Sequence, residues 1–144
     1  MNLFIKGTVD VSTEIGGWSF VLDYGDGETC QMGCSYEKCT PSYMTLVAAL
    51  KALTYLTDNN LQQQIIHTDS KFVFNGIEKM IPSWIENNWN TSQNKAVKYK
   101  EVWQDIHTMS QKSGVTWSFS SETNTPMFKA VLLATECSQK SQDI

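Results

Sequence analysis

Arginine is absent from this chain: all eleven basic residues among its 144 are lysine, set against fifteen acidic residues for a net charge of −4. Without arginine there is no planar guanidinium fork to grip a phosphate through two hydrogen bonds, and a negative chain exerts no general pull on a polyanion. Both facts count against tight nucleic-acid binding. Long apolar runs are missing too. No stretch approaches the ~20 residues of a membrane span, and the opening MNLFIKG does not read as a secretory leader. The expectation is a cytoplasmic protein with no membrane partner. Cysteine is scarce, and Cys30, Cys34, Cys39 and Cys137 have neither the two-residue knuckle nor the downstream Cys/His pair of a zinc site, so all four read as free thiols.

What is present suffices for one compact domain, with 41% of residues apolar. Residues 3–10, 16–23 and 28–35 read as a three-strand antiparallel meander, with Tyr24-Gly25-Asp26-Gly27 turning between the last two. Tyr43, Leu46, Leu50, Leu53 and Leu56 fall at helical spacing, behind Thr40 as N-cap and Pro41 at the first helical position. A fourth strand is expected within 61–68. A helix follows over 70–79, which Pro82 interrupts before it restarts toward Trp84 and Ile85. The asparagine-rich stretch 87–97 reads as an exposed loop. Tyr99, Val102, Trp103, Ile106 and Met109 then mark a helix, Val115, Trp117 and Phe119 a fifth strand, and Pro126 opens a last helix to about Ser138. The expected domain is 1–138, with 139–144 a polar C-terminal tail.

Five stretches in this order resemble one family. Asp10-Val11-Ser12 followed by Gly16-Gly17-Trp18 is similar to a D-G-S then G-G-x pattern, Met44-Thr45-Leu46-x-Ala48-Ala49 to M-E-L-x-A-A, and Thr68-Asp69-Ser70-x-x-Val73 to T-D-S-x-x-V. Asn75-Gly76-Ile77 with Trp84, Trp89 and Val102-Trp103 resembles the segment holding a basic protrusion, or handle, in many bacterial members. The family is the type 1 ribonucleases H. The resemblance implies an α/β fold with a five-stranded mixed sheet, the meander plus two further strands, flanked by helices. It also implies cleavage of RNA in RNA/DNA hybrids by Mg²⁺ held among four carboxylates.

Departures from that pattern bear on activity. On this matching the first-strand carboxylate is Asp10 and the one after the fourth strand is Asp69, while the first-helix glutamate becomes Thr45 and the last-helix aspartate becomes Val131. Val11 replaces the glycine of D-G-S, where its side chain would crowd the backbone approach. The loop before the last helix holds no histidine. Two remaining carboxylates imply no required cofactor and at most one weakly held Mg²⁺. The reading is a catalytically degenerate domain kept as a binding or accessory module, of a kind known in phage, viral and mobile-element proteins. A protein partner, contacted through Val131 and Leu132, is slightly favoured over an RNA/DNA hybrid or structured RNA held by Thr40, Trp84, Trp89, Lys95, Lys98 and Lys100. The alternative is an active ribonuclease H with a rebuilt site, for which Glu122 in the loop and Glu136 in the last helix are the replacement carboxylates. His67, two residues before Asp69, reads as a satisfied structural histidine.

Overall fold

The computed structural model describes residues 2–120 and 125–140. Strands β1 (Asn2–Val9), β2 (Ile15–Asp23) and β3 (Glu28–Lys38) form the antiparallel meander. Beyond it β4 (Ile65–Thr68) lies parallel to β1 and β5 (Thr116–Phe119) parallel to β4, giving the sheet order β3-β2-β1-β4-β5. Parallel neighbours require crossovers. The first is α1 (Pro41–Asp58); the second runs through α2 (Lys71–Asn75), α3 (Ile81–Glu86) and α4 (Lys100–Ser113), and α5 (Thr125–Lys140) closes the described chain.

Alternation along β1 assigns the two faces. Leu3 and Ile5 are fully buried among Leu46, Ala49, Leu53 and the tryptophan-rich helices, whereas Phe4 packs with Val21, Met127 and Ala130 beneath α5. Successive side chains point to opposite faces, so Lys6 shares the α5 face with Phe4, and Gly7 turns toward α1. That glycine is required. A Cβ there would sit 2.1 Å from the backbone nitrogen of Thr45, so β1 and α1 meet backbone to backbone. The helix start agrees with its sequence: Thr40 Oγ1 accepts from the Tyr43 amide at 3.2 Å, and Pro41 occupies the first turn.

β4 falls within the expected 61–68 and starts at Ile65, because the Leu61 amide closes back on the Leu56 carbonyl and Gln63 takes a positive φ of 58°. Three other local expectations change. Pro82 does not break the helix. It lies in the first turn of α3, and the wider π-turn over Gly76–Met80 relieves the clash its ring would make with the preceding turn. α5 runs on through Lys140, past the end expected near Ser138. Finally, Cys30 and Cys39 are free thiols but Cys34 is in a disulfide, a pairing set by tertiary proximity that spacing along the chain does not reveal. Among the described residues no helix is long and apolar enough to cross a membrane.

Candidate functional site

Parallel pairing of β1 with β4 fixes the centre of the site. Phe4 stands opposite His67 and Ile5 opposite Thr68, so one step further the register sets Lys6 beside Asp69. There the Lys6 ammonium donates to Asp69 Oδ2 at 2.7 Å, with side chains only 17% and 8% exposed. Asp69 follows the last residue of β4, and Ser70 then caps α2 by accepting from the Val73 amide. Asp69 therefore stands at the end of β4 with a cation beside it across the strand pair.

Asp10 is elsewhere. It lies past the end of β1, in the turn to β2, where its Oδ1 accepts from the Ser12 amide at 2.9 Å, the Ser12 hydroxyl at 2.6 Å and the Thr13 amide at 3.1 Å. Those bonds make it an Asx-turn residue that shapes its own loop. Nor does Val11 crowd any backbone, being 96% exposed. The glycine that a D-G-S pattern needs is Gly7, pressed against α1, so the matching triplet is Lys6-Gly7-Thr8 and the first-strand carboxylate position is Lys6. A hydroxyl residue follows both Lys6-Gly7 and Asp10-Val11, and only the first triplet keeps the glycine.

The remaining positions add no charge. Thr45 is buried and its hydroxyl donates to the Pro41 carbonyl of its own helix at 3.0 Å. Val131 is half-buried on α5. Leu132, expected beside it in an apolar cleft, is 54% exposed and shares an outward stripe with Phe128 one turn earlier. Glu136 is exposed further along α5, and Glu122 lies outside the described residues. Magnesium wants several oxygen ligands converging from rigid elements. Among the described residues no three His, Cys, Asp or Glu side chains gather to hold a metal ion, and the carboxylate best placed for one is already bonded to an ammonium. Among the described residues the donor set does not fit the metal that the family resemblance implies.

His67 is satisfied on both nitrogens. Nε2 meets Asn2 Oδ1 at 2.8 Å and Nδ1 meets Ser120 Oγ at 2.9 Å, while the ring stacks on Phe4 at 4.6 Å. Because the amide oxygen only accepts, Nε2 carries the proton and Ser120 donates to Nδ1. Burial pushes its pKa below the ordinary 6.5, which keeps the ring neutral beside the Lys6–Asp69 pair.

The residues expected to meet nucleic acid divide into two groups. Trp84 packs on Trp89 at 6.1 Å and on buried Trp103 at 5.5 Å between ring centres, and both Trp84 and Trp89 lie against the core, so much of their surface serves the fold. Thr40, by contrast, comes within 3.4 Å of the Tyr99 hydroxyl, and the Lys98 ammonium lies 5.0 Å from the Tyr99 ring centre. Lys38, Cys39, Thr40, Tyr43 and Tyr99 line a 270 Å³ cleft at the start of α1. Lys95 and Lys100 are exposed nearby in sequence, in the loop and at the head of α4.

Comparison with known proteins agrees with this architecture. A family model described as RNase H matches residues 1–121, stopping before α5. A ribonuclease H of Rhizobium meliloti (strain 1021) is 38% identical over 120 residues, covering 81% of this chain and 74% of that protein. Among solved structures, LC9-RNase H1, a type 1 RNase H with the type 2 active-site motif, superposes with a TM-score of 0.81 at 14% identity, over 97% of this chain and 72% of that one. The foamy viral protease-reverse transcriptase in complex with RNA/DNA hybrid gives 0.81 at 19% identity, over 96% of this chain and 20% of that one. With the sheet order, the backbone contact at Gly7 and Asp69 at the end of β4, these likenesses establish that the chain belongs to the ribonuclease H family.

Proposed function

We propose that this chain is a ribonuclease H-family domain that holds a nucleic-acid duplex of the RNA/DNA-hybrid type without hydrolysing it by the two-metal route. The observation that carries the reading is the Lys6–Asp69 ion pair at the rim where β1 and β4 end. Two-metal hydrolysis needs carboxylates to hold cations that clamp both the attacking and the leaving oxygen. Here the carboxylate positions carry Lys6, Thr45, Asp69 and Val131, and one carboxylate bonded to an ammonium cannot assemble that centre. A duplex is favoured as the partner because structural neighbours are described in complex with RNA/DNA hybrid, and because Lys98, Tyr99 and Thr40 come together beside α1. Leu132 and Phe128 offer a protein partner an exposed apolar stripe, but nothing selects an occupant for it.

Catalytic ribonuclease H activity is the second reading, favoured by one specific observation: related proteins carry that name, among them two at 38% and 32% identity. A labelled hybrid incubated with Mg²⁺ or Mn²⁺ separates the two. The expected result is an intact RNA strand together with a retarded complex. RNA cleavage that disappears in Asp69→Asn would overturn the non-hydrolytic reading, and absence of any retarded complex would overturn the partner.

A further inference from the structure

An ammonium fixed where a hydrolytic relative places divalent cations has a use of its own, because phosphodiester oxygens are attracted to either. We infer that Lys6 is a built-in, metal-free anchor for one backbone phosphate of the bound duplex, so that capture requires no divalent cation. The inference rests on the reading above and names how that site would take its ligand.

Three features support it. The Lys6 side chain is 17% exposed, enough to present its charge at the rim yet too confined to sweep solvent. Its bond to Asp69 Oδ2 at 2.7 Å holds the ammonium in one place, so little side-chain freedom remains to be lost when an anion arrives. Charge at the matching positions is also favourable. A rim bearing several carboxylates repels phosphate until metal ions neutralise it, which weakens approach in their absence. Here Thr45 and Val131 are uncharged and the single carboxylate is balanced by the lysine beside it, so a phosphate approaching Lys6 meets no uncompensated negative charge at those positions. Metal is thus unnecessary for approach and is itself repelled by the resident cation.

Fluorescence anisotropy with a labelled RNA/DNA hybrid tests this on the whole chain, in excess EDTA and in Mg²⁺, across a salt series. The wild-type protein should bind equally well in both conditions. Lys6→Met should weaken binding about tenfold near 0.1 M salt and reduce the slope of log K against log salt by roughly one, as expected for the loss of one phosphate contact. Lys6→Arg, which keeps the charge, should restore both, and separates a lost contact from a damaged fold. Lys6→Asp should bind poorly in EDTA and regain part of its affinity when Mg²⁺ is added. Wild-type binding that collapses in EDTA, or a Lys6→Met protein with unchanged affinity and salt slope, overturns the inference. Cleavage of the RNA strand, scored in the same samples, instead overturns the non-hydrolytic reading and so keeps the two failures distinct.

Discussion

Replacing Lys6 by aspartate should turn a metal-indifferent rim into a metal-responsive one. In the wild-type chain a divalent ion bonded to Asp69 would lie close to the Lys6 ammonium, which is 2.7 Å from the same carboxylate. At ~4 Å the repulsion between a unit and a double positive charge is about 2 kcal/mol in water and about 8 kcal/mol at an effective dielectric of 20, and this half-shielded rim lies between those limits. Even the lower figure is more than tenfold in affinity. Lys6→Asp removes the repulsion and sets two carboxylates side by side across β1 and β4, so without metal the variant should be destabilised by their mutual repulsion and by loss of the pair. If the new pair holds Mg²⁺ with a Kd of ~1 mM, then 10 mM Mg²⁺ stabilises the folded variant by about 1.4 kcal/mol. For a chain of this length that is a rise in Tm of roughly 4–6 °C. Differential scanning calorimetry with and without Mg²⁺, with Ca²⁺ as a second cation and Lys6→Met as the uncharged control, measures it directly. The wild-type curve should be flat in both salts. A wild-type protein that gains as much Tm from Mg²⁺ as Lys6→Asp would refute the reasoning, since it would mean that the ammonium does not exclude a cation from the site.

Two further outcomes follow from the same rim. Because burial lowers the pKa of His67, the unfolded chain binds more protons on this residue than the folded one below about 6.5; its contribution to stability is complete above that pH and lost as pH falls through the folded value, so denaturant midpoints should drop between pH 7 and 5, and His67→Gln should flatten that slope. Gly7→Ala should cost more than about 3 kcal/mol in urea unfolding, since the added Cβ would meet backbone atoms of Met44 and Thr45 at 2.1–2.6 Å that cannot rotate away, whereas Val11→Ala on the exposed turn should be near neutral.

Much of the fold was legible because its signals are local and redundant. Leucine spacing in α1 behind the Thr40 cap, the turn residues Tyr24–Gly27 between β2 and β3, and the alternation of Val115, Trp117 and Phe119 each specify an element without help from the rest of the chain. What the sequence hid was tertiary. Cys34 is in a disulfide that no spacing rule predicts, and Pro82 is tolerated because a π-turn precedes it. The site was half legible. Asp69 is tied to a strand end and a helix cap, both readable, but a reading that looks for carboxylates passes over a lysine and settles on the next aspartate. The signal that distinguishes them is Gly7, whose need becomes plain only when α1 is seen lying against β1.

The three changes at the four matching positions make sense together, and less sense one at a time. Four carboxylates around two divalent cations sum to zero charge, and so do one lysine, one aspartate, one threonine and one valine. Had only Lys6 changed, a glutamate at position 45, in a site 4% exposed, would stand without a metal to neutralise it, and an unpaired buried carboxylate is among the costliest groups a fold can contain. Threonine avoids that cost by bonding to the Pro41 carbonyl of its own helix, and valine avoids it by being apolar. Asp69 keeps its charge beside the Lys6 ammonium. On this view the substitutions form a rebuilt electrostatic balance in which a covalently tethered cation replaces two exchangeable ones. A tethered ammonium can hold a phosphate but cannot activate a water molecule as a bound metal does, and the proposed role in binding without hydrolysis rests on that difference.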